Sequence, residues 1–156
     1  MIISETIHLK PSDMKGDFNR VCLDYLKSKR KNKIYKPVGY ILDIIRIVSA
    51  SFIVCEGSTL TVKVNYEISA VKPCDLTNFY PIVKLLEAGI FVQLDYAHVL
   101  IVGGVLKNKT YVFECCKFSF YDRISFKPLA YRLKKYKGNY VYAVVANHIC
   151  KQAIDD

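Results

Sequence analysis

The sequence has no Cys-x-x-Cys motif, so it lacks the short-spaced ligand pairs on which structural zinc sites are built. Only His148 has a cysteine, Cys150, within a few residues. The six cysteines, Cys115 and Cys116 adjacent among them, therefore read as reduced thiols, mostly buried as small hydrophobes in a reducing compartment. No apolar run approaches the ~20 residues of a membrane span. The opening Met1-Ile2-Ile3-Ser4-Glu5 has neither the basic start nor the long apolar stretch of a secretory signal. A glycine-rich phosphate loop is missing too, because Gly103-Gly104 is not followed by lysine and serine or threonine. His8, His98 and His148 are scattered, and Asp95, Glu114 and Asp122 have no spacing that predicts a shared site. These absences predict no catalytic residues, no cofactor, no metal and no membrane. Internal repeats, low-complexity tracts and a Gly/Ser linker are also lacking.

What is present is a chain of 156 residues, 52% of them apolar, enough for one large domain or two small ones with a proper core. Its net charge of +9 favours a polyanionic partner, either nucleic acid or an acidic protein surface. The excess is even, about +5 before Pro73 and about +4 from it onward, so neither half is a basic tail.

In chain order, Ile2–Leu9 reads as a strand broken by Pro11-Ser12-Asp13. Asp17 is a good helix N-cap. Phe18, Val21, Cys22, Tyr25 and Leu26 then recur at helical spacing on one face. The basic run 27–33 reads as a solvated helix end. Residues 40–48 are nearly all apolar and predict a largely buried strand, followed by a short strand over 52–55 and a turn at Glu56-Gly57-Ser58. Strict alternation from Leu60 to Ala70 predicts a long antiparallel strand with one buried face. Lys72-Pro73-Cys74-Asp75 ends it, and the boundary between halves is placed there. Strands are expected over 79–86, 90–94, 98–102, 110–115, 117–121 and 140–146. Residues 124–138 read as a long loop or a short helix. Gly89, inside Leu86-Glu87-Ala88-Gly89-Ile90-Phe91-Val92, marks a bend or a close backbone approach. The expected fold class is α+β. A domain over 1–73, an antiparallel sheet with one helix, precedes a small OB-type β-barrel over 74–156.

Several motifs, in this order, resemble one family. They are Val38-Gly39-Tyr40-Ile41-Leu42 after the helix, Glu56-Gly57 in a turn, Val62-Lys63-Val64-Asn65-Tyr66, Val71-Lys72-Pro73, and Leu86 through Leu94. The arrangement resembles the stalk subunit of multisubunit DNA-directed RNA polymerases, namely subunit seven of eukaryotic RNA polymerase II and its archaeal counterpart. The resemblance covers residues 1 to about 106. It implies a tip domain that docks on the polymerase core near the clamp and an OB barrel beside exiting RNA. It also implies the large polymerase subunits as partners, with a second stalk subunit in cellular relatives. By carry-over, Pro37, Gly39, Tyr40, Glu56 and Gly57 would lie near the docking surface, although Gly39 and Gly57 are equally well explained as turn glycines. The short chain and its 18 lysines against 5 arginines look like a version from a cytoplasmic large DNA virus. That implies a cytoplasmic factory or virion location, against a nuclear one for a cellular protein.

The second half interleaves bases with aromatics, the composition that single-stranded RNA binding needs. Lys107, Lys109, Lys117, Phe118 and Arg123 are the expected RNA contacts. Phe91 joins them as the match to the stacking aromatic of similar OB domains. Two features depart from that pattern: Ala88 replaces the usual aromatic before the glycine, and the histidine-serine pair on the following strand is absent around Leu100-Ile101-Val102. The expectation is weak, sequence-independent binding of nascent RNA. The alternatives are core aromatics under a solvated basic surface, and a free-standing OB-fold RNA-binding protein.

Overall fold

The computed structural model describes residues 1–57 and 59–149, with only the backbone described over 54–56. Ser58 of the expected turn and Cys150 lie outside the described residues. The fold is mostly β with one α-helix among the described residues, an α+β protein. The chain divides into two compact units, Met1–Val71 and Lys72–Asp156.

In the first unit, β1 (Ile2–Leu9), β2 (Ile34–Tyr35), β3 (Gly39–Glu56) and β4 (Thr59–Val71) form an antiparallel sheet in the order β1-β4-β3-β2. Val62, Val64, Tyr66 and Ile68 of β4 alternate into the core and lie beside Ile7 and Leu9 of β1. Helix α1 (Phe18–Arg30) supplies the rest of that core. Asp17 caps it by accepting a hydrogen bond from the Asn19 N–H at 3.2 Å. Cys22 and Leu26 are fully buried on its inner face, and Phe18, Val21 and Tyr25 pack around them. Burying a leucine of this kind stabilises the unit by roughly 1.5–3 kcal/mol. Lys27, Lys29 and Arg30 occupy the last turn, where the exposed carbonyls favour positive charge.

The strand expected over 40–48 and the short one over 52–55 are a single strand, β3. Against β4 its register slips at Leu42, Ile45, Val48 and Ile53, each an extra residue opposite none on the partner. The strand is therefore not buried on both faces. Ile41 and Ile44 reach the core, while Leu42, Ile45 and Val48 face solvent.

One sequence, Lys-Pro-x-Asp, ends both β1 and β4. In Lys10–Asp13 and Lys72–Asp75 the aspartate accepts the lysine's backbone N–H, at 3.3 and 2.8 Å, and a 3-10 turn follows. Proline cannot extend the ladder, and the aspartate closes the turn locally.

The second unit holds β5 (Tyr80–Pro81), β6 (Lys84–Leu86), β7 (Gly89–Gln93), β8 (Ala97–Val102), β9 (Val105–Lys107), β10 (Thr110–Val112), β11 (Lys117–Phe118), β12 (Arg123–Ile124), β13 (Phe126–Tyr136) and β14 (Asn139–His148). Five of them form one sheet in the order β13-β14-β8-β7-β6, with β8 and β14 parallel and every other pair antiparallel. A three-stranded sheet β11-β10-β9 and the pair β12-β5 complete the unit. No closed barrel is found among the described strands. Residues 124–138, expected as loop or helix, are mostly β13. Its charged residues mask the strand pattern because it is an edge strand, where lysine and arginine are the usual guard against further pairing. Gly89 opens β7 opposite Leu86, and a Cβ there would overlap the Ile101 carbonyl oxygen. A close backbone approach is thus the reason for that glycine.

Candidate functional sites

In the first unit, β2 covers only the first residues of β3. Beyond Ile41 the outer edge of β3 has no strand partner among the described residues. Leu42, Ile45, Val48 and Ile53 are 42–52% exposed along this strand, whereas Phe52, opposite Val62, stacks on Phe18 of the helix at 4.7 Å. An open edge that also presents a row of large apolar side chains is what soluble domains normally avoid, unless a partner covers it. The bulges produce the row. They reset the strand to a period of three, so Ile41-Leu42-Asp43, Ile44-Ile45-Arg46 and Ile47-Val48-Ser49 each put one residue inward and one apolar residue outward.

The expected docking residues sit at the two ends of this strand. Pro37 is exposed in the turn before β3, Gly39 begins it, and Tyr40 is buried. Glu56 ends the strand, and Gly57 follows in the turn with a left-handed φ of 58°. The eighteen-residue strand β3 runs from one group to the other, a span on the order of 50 Å when extended. They do not form one cluster. The exposed apolar row between them was hidden in the sequence by its resemblance to a buried strand.

In the second unit, one face of the five-stranded sheet is open. Adjacent strands line up Phe91, Leu100, Val145 and Ala130 across it, with His98, Ala143 and Arg132 in a neighbouring row. A cleft of about 490 Å³ runs over these residues and also touches Leu86 and Lys134. Three rings form a strip beside it. Phe91 meets His98 edge-on at 5.8 Å between centroids, and His98 meets Tyr136 edge-on at 4.5 Å. Lys134 and Lys137 place their ammonium groups 5.9 and 5.3 Å from the Tyr136 ring. Burial, helped by the nearby Lys134 charge, holds His98 below the usual imidazole range, which favours its neutral form. His98 is buried between the other two rings, so Phe91 and Tyr136, partly exposed, with the cations around them make a stacking surface with a positive border.

Of the six expected RNA contacts, only Phe91 belongs to this face. Lys107, Lys117 and Phe118 are on the three-stranded sheet, Lys109 is in its turn with a φ of 63°, and Arg123 is on β12. The Phe118 ring is already packed on Phe113 at 5.9 Å and on His148 at 5.0 Å. Arg132, Lys134 and Tyr136 belong to the interleaved bases and aromatics of the second half but were not among the expected contacts, and His98 was read only as a scattered histidine. His98 could have been found on the strand that follows Phe91, two residues before the place where a histidine was sought.

Cys22, Cys74 and Cys116 are free thiols, whereas Cys115 is disulfide-bonded, which corrects the reading of uniformly reduced cysteines. Whether two sulfurs meet depends on Cα separations that spacing along the chain does not reveal. No described helix is long and apolar enough to cross a membrane.

The two surfaces together define a class: a two-unit α+β protein with an exposed apolar strand edge on one unit and an aromatic, cationic sheet face on the other. Comparison with family models and with curated proteins finds no match to the chain.

Proposed function

We propose that this protein is a non-catalytic stalk subunit of a DNA-dependent RNA polymerase, of the kind found in cytoplasmic large DNA viruses. The first unit docks on the large polymerase subunits near the clamp, and the second presents a surface to exiting RNA. The observation that carries the reading is the bulged outer edge of β3 with its exposed Leu42, Ile45, Val48 and Ile53. Such a row favours a permanent protein partner, because leaving it in water wastes the stabilisation its burial would give. The motif order described for the sequence supplies the identity of that partner.

The second unit is, in this reading, an OB-type barrel left open between β6 and β13. Its support is the strand order: a three-strand meander, then a parallel neighbour, then an outer antiparallel strand. RNA lies over Phe91 and Tyr136, held apart by the buried His98 ring, with Arg132, Lys134 and Lys137 neutralising phosphates. Each stacked base contributes roughly 1–3 kcal/mol.

Isolation of the native complex from cells that make the chain, followed by identification of its components, tests the proposal. The expected result is stoichiometric recovery of the large polymerase subunits. Recovery of the chain alone, bound to RNA, favours the second reading, a free-standing OB-fold RNA-binding protein, for which the ring strip is the specific support.

A further inference from the structure

The three-stranded sheet and the end of β14 bring together side chains that neither the docking edge nor the ring strip uses. Cys115 and Cys116 follow β10, and His148 ends β14, more than thirty residues later. Their donor atoms nevertheless all lie within 4.8 Å of one another. The two sulfurs are 3.4 Å apart, and His148 Nδ1 is 3.9 Å from Cys115 Sγ and 3.8 Å from Cys116 Sγ. A tetrahedral zinc ion with Zn–S near 2.3 Å and Zn–N near 2.0–2.1 Å requires S···S of about 3.8 Å and S···N of about 3.6 Å. The observed separations are within a few tenths of an ångström of those values.

The surroundings hold this geometry. The Phe113 N–H donates to the Cys116 carbonyl at 2.8 Å, closing a turn that presents both sulfurs. Phe113 stacks on the His148 ring at 4.9 Å, and Phe118 meets it edge-on at 5.0 Å, which fixes the imidazole plane. A cavity of about 220 Å³ lies among Cys115, Cys116, Phe118 and His148.

We propose that the reduced chain binds one zinc ion through Cys115 Sγ, Cys116 Sγ and His148 Nδ1. Cys115 is disulfide-bonded, so the site forms only after a thiol or phosphine reductant delivers two electrons and two protons to that bond and releases two thiols. These three side chains leave the fourth tetrahedral position to water. Zinc displaces one proton from each coordinating thiol to solvent and takes the imidazole as a neutral base. Two thiolates with an imidazole select zinc over magnesium or calcium. The site would pin the small sheet to the end of β14, a structural role.

The test uses the full chain, freed of metal under a phosphine reductant and checked for folding by circular dichroism, with cobalt(II) as the probe. One equivalent is expected to give a thiolate-to-metal charge-transfer band and the visible bands of tetrahedral cobalt, both abolished by one equivalent of zinc. Cys116→Ser and His148→Ala should each weaken zinc binding by roughly a hundredfold, and Cys74→Ser should leave it unchanged. Absence of the charge-transfer band in the folded, reduced chain overturns the proposal. So does undiminished zinc binding in both Cys116→Ser and His148→Ala.

Discussion

A single carboxylate shows how much one residue can organise. Glu5, on β1, faces the helix side of its sheet and is 7% exposed. It accepts from Arg30 Nη2 at 2.6 Å and from the Tyr66 hydroxyl at 2.8 Å, with Lys29 at 3.4 Å. The Arg30 guanidinium in turn lies 4.0 Å over the Tyr35 ring. Burial alone would raise the Glu5 carboxyl, but the bonds from Arg30 and Tyr66 and the adjacent charges outweigh it and hold it below the usual range. The depressed folded value sets the sign. The stabilisation is fully present above the ordinary carboxyl range, about pH 4.3, and is lost as pH falls through the folded value. Glu5→Gln should therefore lower stability by roughly 1.5–3 kcal/mol at pH 7. In urea melts the gap between wild type and variant should narrow as the pH falls below the ordinary carboxyl range; a gap that stays constant would remove the ionic account. None of this was legible in the sequence, where Glu5 is one polar residue in an alternating strand. The same holds for His148 and Cys115-Cys116, because proximity across thirty residues is set by the sheet and not by spacing.

Elements with one clean period were readable, and elements with a mixed one were not. β4 alternates strictly, and α1 repeats its apolar residues at 3.6, so both stand in the structure as their patterns predict. β3 defeats the reading because its bulges turn period two into period three, and a continuous apolar run then looks buried. β13 defeats it because an edge strand carries its charges through the alternation. The bulges of β3 predict a split between neighbours. Ile44→Ala, in the core, should cost about 2–4 kcal/mol in a denaturant melt. Ile45→Asp, on the exposed row, should stay within about 0.5 kcal/mol of wild type and yet abolish recovery of the large polymerase subunits. Equal destabilisation by both variants would mean that Ile45 is a core residue, and the docking edge would fall. The open face of the second unit makes a separate prediction. Phe91→Ala and Tyr136→Ala should each weaken single-stranded RNA binding by about tenfold or more, with a steep dependence on salt. Because burial disfavours the charged His98 ring, affinity should rise little between pH 8 and pH 7. A marked rise over that range would assign the charge to His98 instead of the lysines and arginines.

For the molecule as a whole, the division of labour follows from two separate cores. The first is built on Leu26, Tyr66 and their neighbours before Val71, and the second on Ile90, Val99, Ile101 and Phe126 after it. Each core leaves one surface uncommitted: a strand edge in the first unit, a sheet face in the second. A photo-crosslinking amino acid in place of Ile45, with the same group in place of the β4 residue Lys63 for comparison, asks directly what covers that edge in producing cells. Crosslinks from position 45 to a large RNA polymerase subunit, absent or much weaker from position 63, are the predicted result. A chain that crosslinks to no polymerase subunit from either position would contradict the account.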